Sequence, residues 1–161
     1  MDKSSLTSSS ASTVVVIMAS FMIASAINVY PFNISTASMR PMALIMVLIF
    51  WLMFQPRYVG VFVAFLIGLS ADLLLDTRLG QQAFAAVMVA FVIKLSSIYL
   101  KQLTPITAWI LASLSLFVFQ LSLWILQYIG QNIFVSNSAI AMLVSIATWP
   151  LVYLVLQYVN R

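Results

Sequence analysis

The chain has no cysteine and no histidine, and among its 161 residues only three carboxylates stand against seven basic side chains. Without thiolate or imidazole there is no ligand set for zinc, no cysteine nucleophile and no triad that turns on a histidine base. Asp2, Asp72 and Asp76 leave little from which to build a carboxylate metal cage or a glycosidase-like pair. No enzyme chemistry, cofactor or metal is therefore expected. Charge of either sign is scarce as well. Charged residues make up 6% of the chain, where a soluble domain carries roughly a quarter. The basic residues are single and scattered, so no nucleic-acid patch forms.

What the sequence has instead is hydrocarbon. Hydrophobic residues are 64% of the chain and the mean hydropathy is +1.13. Lipid is the natural solvent for such a composition. A helix needs about 20 apolar residues to cross a core of roughly 30 Å. Six segments qualify as candidates: Thr13 to Tyr30, Pro41 to Phe54, Tyr58 to Leu75, Ala83 to Leu100, Ile106 to Tyr128 and Ser138 to Tyr158. They are apolar on all faces, which suits helices in lipid. They lack the alternation of a membrane barrel. The expected fold is an all-α membrane protein, a polytopic bundle of six transmembrane helices over residues 13–161. A short Ser/Thr-rich cytoplasmic tail, residues 1–12, precedes it.

Punctuation supports the breaks. Tyr30-Pro31-Phe32-Asn33 closes the first segment, Arg40-Pro41 opens the second, Gln55-Pro56-Arg57 separates second from third, and Thr104-Pro105 opens the fifth. Proline fits a first helical turn, where its missing N–H costs little. The second segment is the shortest. About 14 residues reach only about 21 Å, a length common in re-entrant or interfacial segments; a true span is the preferred reading, lengthened back through Ser35 to Met39 with Arg40 snorkelling to the headgroups. Charge sets the orientation. With both termini inside, Lys3, Arg57, Lys101 and Arg161 are cytoplasmic, Lys94 snorkels inward, and Arg40 and Arg78 lie outside. That distribution follows the positive-inside rule.

The third segment carries the most information. Gly60, Ala64, Gly68, Asp72 and Asp76 recur every four residues, which places them on one helical stripe. Small residues there let another backbone approach closely. A membrane carboxylate faces the bundle interior, water or a partner, and Arg78 or Arg40 is a candidate to neutralise it. Gly80 suits a turn that other residues disfavour. Trp149-Pro150 lies inside the sixth segment, where proline frees a carbonyl that a neighbour must satisfy.

Arg40-Pro41, Trp51, Gln55-Pro56-Arg57, Gly60, Gly68, Asp72-Leu-Leu, Leu79-Gly80 and the late Trp149-Pro150 occur in an order that resembles the bacterial rod shape-determining MreD family. The resemblance covers nearly the whole chain. It implies a non-enzymatic inner-membrane subunit of the cell-elongation machinery, supporting lateral peptidoglycan synthesis. The implied partners are an MreC-like bitopic protein and, indirectly, MreB-like actin filaments, a penicillin-binding transpeptidase and a RodA-like polymerase. The implied fold is similar to the substrate-binding subunits of energy-coupling-factor transporters. The Ser-rich head departs from the family pattern. On this reading Arg40, Pro41, Arg57, Gly60, Gly68, Asp72, Gly80, Trp149 and Pro150 are bundle-shaping or partner-facing residues. The alternative is a vitamin-binding transporter subunit, which calls for convergent polar residues near the outer loops, and few are present. A lipid-active enzyme or flippase needs a charged cavity near the headgroups, for which Asp72, Asp76, Arg78 and Arg40 are the only candidates.

Overall fold

A computed structural model describes residues 3–29, 42–75, 77–99, 104–131 and 138–159. Six α-helices follow one another: α1 (Lys3–Val29), α2 (Ala43–Phe54), α3 (Val61–Leu74), α4 (Gln81–Tyr99), α5 (Pro105–Gln131) and α6 (Ser138–Val159). Each falls on one of the six apolar segments. The main departure is α1, which runs back to Lys3 through the stretch read as a tail. An established helix extends at far less cost than a new one nucleates, and serine and alanine do not stop it.

Among the described residues, three helices are long and apolar enough to cross a membrane, over Gln81–Ile98, Pro105–Ile129 and Ile140–Tyr158. The apolar parts of α1, α2 and α3 are shorter. Outward faces carry large apolar side chains, among them Met22, Phe62, Ile98 and Leu143. Apolar surface on this scale, without a charged coat, matches hydrocarbon as the solvent.

The inside of the bundle is organised around α2. Its 12 residues extend about 18 Å, short of the hydrocarbon core. All residues from Leu44 to Met53 are buried. The helix packs against each of the other five. Around it, α1 contacts α3, α3 contacts α4, α4 contacts α5 and α5 contacts α6. The shortest expected span is thus the hub of the fold. An all-apolar face suits a protein interior as well as lipid, and this helix takes the interior.

Two serines tie the hub to its neighbours. The Trp51 Nε1–H donates to Ser20 Oγ on α1 at 2.8 Å, and Ser20 in turn donates to the Ile17 carbonyl. The Met42 N–H, at the α2 N-cap, donates to Ser145 Oγ on α6 at 2.8 Å. At the other end Phe50 meets Tyr153 of α6 edge-on and Phe54 meets it at a tilt, with centroids 6.2 and 5.8 Å apart. Each of these polar bonds is worth about 1 kcal/mol net, and more is lost if one partner is deleted inside the bundle.

Candidate functional site

The α3–α4 hairpin contains the most specific geometry in the molecule. Ala64, Gly68, Ala71 and Asp72 are the buried residues of α3. On α4, Ala83, Ala86 and Ala90 recur at three- and four-residue spacing and are also buried. At Gly68 the two backbones nearly touch. A Cβ there would meet Ala83 Cα at 2.4 Å, the Gln82 carbonyl oxygen at 2.7 Å and Ala83 N at 2.8 Å. No side chain fits against backbone at those distances, so glycine is required for the approach. The small-residue stripe is therefore occupied by α4 itself.

Asp72 continues the stripe and is wholly buried. Its Oδ1 accepts from Thr77 Oγ1 at 2.9 Å and from the Gln82 N–H at 2.9 Å. Its Oδ2 accepts from the Gly80 N–H at 2.8 Å and from the Ala83 N–H at 3.3 Å. The first turn of α4 has no acidic residue of its own. Asp72 acts as a cap supplied from the preceding helix. It satisfies N–H groups that an α-helix leaves open at its start, and its charge faces the positive end of the helix dipole. A carboxylate has about four lone-pair sites, and all four donors are in place. This is the arrangement of a structural acceptor, not of a base with a free lone pair.

The intervening turn serves the same end. Gly80 has φ of +99°, a conformation that side chains rarely adopt. It lets the chain reverse so that successive N–H groups converge on one carboxylate. The Thr77 N–H bonds the Asp72 carbonyl at 3.1 Å, ending α3. Gln82 Nε2 reaches Thr77 Oγ1 at 3.5 Å. A sequence reading looks for a cation beside Asp72; the donors found here are backbone amides and a threonine. Thr77, Gln82 and the α4 alanines were missed. The alanine spacing was a usable signal, whereas the convergence of amides depends on the turn.

The other singled-out residues sit elsewhere. Gly60 caps α3 in an extended conformation, and a Cβ there would meet nothing within 4 Å. It borders a small cavity shared with Lys94 and Ser97. Arg57 is exposed in the turn between α2 and α3. Trp149 is buried, and Pro150 lies within α6. Proline lacks the N–H that would bond the carbonyl of Ile146, four residues back. The Trp109 Nε1–H of α5 donates to that carbonyl at 3.3 Å, so the carbonyl freed by the proline is satisfied by a neighbouring helix. Arg40, Pro41 and Asp76 lie outside the described residues.

An all-α bundle with an apolar exterior, helices long enough to span and a buried carboxylate spent on capping is a multi-pass membrane protein whose site serves architecture. Residues 9–159 match the family described as rod shape-determining protein MreD. The chain belongs to the MreD family. A relative from Haemophilus influenzae, a rod shape-determining protein MreD, is 26% identical over 146 residues, 90% of each chain. No solved structure matches. The kinship to transporter substrate-binding subunits therefore stays an implication of the family resemblance.

Proposed function

We propose that the chain is a non-enzymatic inner-membrane subunit of the bacterial cell-elongation machinery, supporting lateral peptidoglycan synthesis and rod shape by holding other proteins in place. The observation that carries this reading is the family match over residues 9–159. The bound state of Asp72, with every lone pair engaged by the chain itself, agrees with a role that needs no proton transfer. The partners proposed are an MreC-like bitopic protein and, through it, MreB-like filaments, a penicillin-binding transpeptidase and a RodA-like polymerase. Both termini are placed in the cytoplasm, with six crossings in which α1, α2 and α3 are completed by residues next to their apolar cores. In this orientation Lys3, Arg57, Lys101 and Arg161 fall on the cytoplasmic side and Arg40 and Arg78 outside, the bias that the positive-inside rule favours. Gly68, Asp72, Gly80, Trp149 and Pro150 then shape the bundle, while Arg40, Pro41 and Arg57 anchor the ends of the second crossing, and Gly60 starts the third.

Depletion in the native host tests the proposal. Rod cells are expected to round up and to recover when the wild-type chain is restored. Unchanged cell shape, or a vitamin requirement in its place, overturns it. In pull-down, Gly68→Leu is expected to recover less of an MreC-like partner than Ser113→Ala, and equal recovery counts against the scaffold role.

A further inference from the structure

The apolar belt around the bundle is not of even height. On α5 it runs over Pro105–Ile129 and on α6 over Ile140–Tyr158, about 37 and 28 Å of helix, with no charged residue in either. A bilayer core is roughly 30 Å thick, and both helices cover it. The α3–α4 hairpin does not. Helix α3 has 14 residues, about 21 Å, and Phe62, Phe65, Leu66, Leu73 and Leu75 are exposed along it. Pro56, Arg57 and Tyr58 are exposed just before it, and Thr77 and Arg78 just after.

Separate features set the same limits on α4. Lys94 is exposed and lies about 20 Å along the helix from Gln81. It lines one small cavity with Ser97, Pro56 and Gly60, so the cation on α4 is level with the start of α3. At the other end Gln82 bonds Asp72 and Thr77, which levels the start of α4 with the end of α3. Snorkelling lets a long cationic side chain reach beyond its own level, but it does not move backbone. The N-cap of α3, Gly60, makes no side-chain bond to the first N–H groups of the helix. Irregular backbone facing lipid does not occur within hydrocarbon. The exposed turn before α3 therefore stays among the headgroups, and the hydrocarbon beside α3 is held close to the length of that helix.

We propose that the α3–α4 face thins the bilayer beside it, while α5 and α6 leave the bilayer at full thickness. A crossing helix shorter than the core draws the two leaflets together. This rests on the reading that α3 crosses the membrane. The chain has no cysteine, so single introduced ones can carry a label. In vesicles of dioleoyl phosphatidylcholine, nitroxides are placed on Phe62→Cys and Leu73→Cys of α3 and on Leu143→Cys and Leu154→Cys of α6. All four positions are exposed, and the two pairs have the same residue separation. In a bilayer of even thickness the pairs average the same depth. Thinning brings the α3 pair nearer to water. Its mean accessibility to a nickel chelate is expected to exceed that of the α6 pair by about threefold or more, and equal accessibility overturns the proposal. So does spin–spin broadening at Phe62 that disappears on dilution with unlabelled protein, because a second copy then covers the face. An impermeant maleimide tests the crossing separately, with Arg57→Cys and Arg78→Cys expected to react from opposite sides of the vesicle. Reaction from one side removes the crossing and the thinning with it. Reaction from opposite sides with equal nitroxide accessibility overturns the thinning alone.

Discussion

The two sides of the bundle are held by different means. On one, α3 and α4 meet backbone to backbone at Gly68 and Ala83, and a buried carboxylate closes the start of α4. On the other, α1 and α6 each make one serine hydrogen bond to α2, Ser20 with Trp51 and Ser145 with Met42, beside apolar and ring contacts, and leave a groove between them. The first side is complete within the chain. At Gly68 it tolerates no added atom, and the Asp72 carboxylate is matched by four donors. The second side is apolar and open. Small residues in a membrane helix therefore say that something comes close, without saying whether it is another molecule or the next helix. Here it is the next helix.

The largest effect is expected at the point of closest approach. Gly68→Leu should separate α3 from α4 and destabilise the bundle by about 3 kcal/mol or more, read as a lowered Tm in detergent and loss of monodisperse protein. Wild-type behaviour would mean that the hairpin is looser than described. Asp72→Ala leaves three amides of the α4 start without their acceptor and should cost about 3 kcal/mol. Hydrogen exchange at Gln82 and Ala83 should rise more than exchange in α5, and a uniform rise would remove the capping assignment. Across the bundle, Trp51→Phe deletes one donor to Ser20 and shrinks a buried side chain, and should cost about 2 kcal/mol; a loss exceeding that of Asp72→Ala would erase the contrast between the two sides. Trp109→Phe should cost somewhat less than about 1 kcal/mol in wild type. It should cost nearly nothing in a Pro150→Ala background, where the restored N–H serves Ile146. An additive double-mutant cycle would show that Trp109 does not stand in for the missing Pro150 N–H. The smallest change is expected for Gly60→Ala, within about 0.5 kcal/mol, because its Cβ enters open space. Gly60 and Gly68 share one stripe, so their difference tests tertiary contact directly.

Much of the architecture was legible beforehand. Six apolar runs separated by Pro, Gly and Asn became six helices, because backbone groups in hydrocarbon must be satisfied within their own segment. Gly80 was readable as a turn and Pro150 as a freed carbonyl, since both follow from covalent geometry. The partner of Asp72 was not readable. A cation is the usual expectation beside a buried carboxylate, and the convergence of three amides exists only once Gly80 has turned the chain. The donor to Ile146 likewise comes from another helix, and local sequence holds no signal for it.

By itself, the sequence determined the solvent, the helical class and the stripe of Gly60, Ala64, Gly68 and Asp72, because composition and periodicity are local properties. It also carried the motifs of the MreD family. Tertiary structure alone decided that α4 closes on that stripe at Gly68, that Asp72 caps a helix it does not belong to, and that the short α2 is the hub. The physical reason is the same in each case. An all-apolar helix is equally content against lipid or against protein, and only the packing of the other five determines which one it meets.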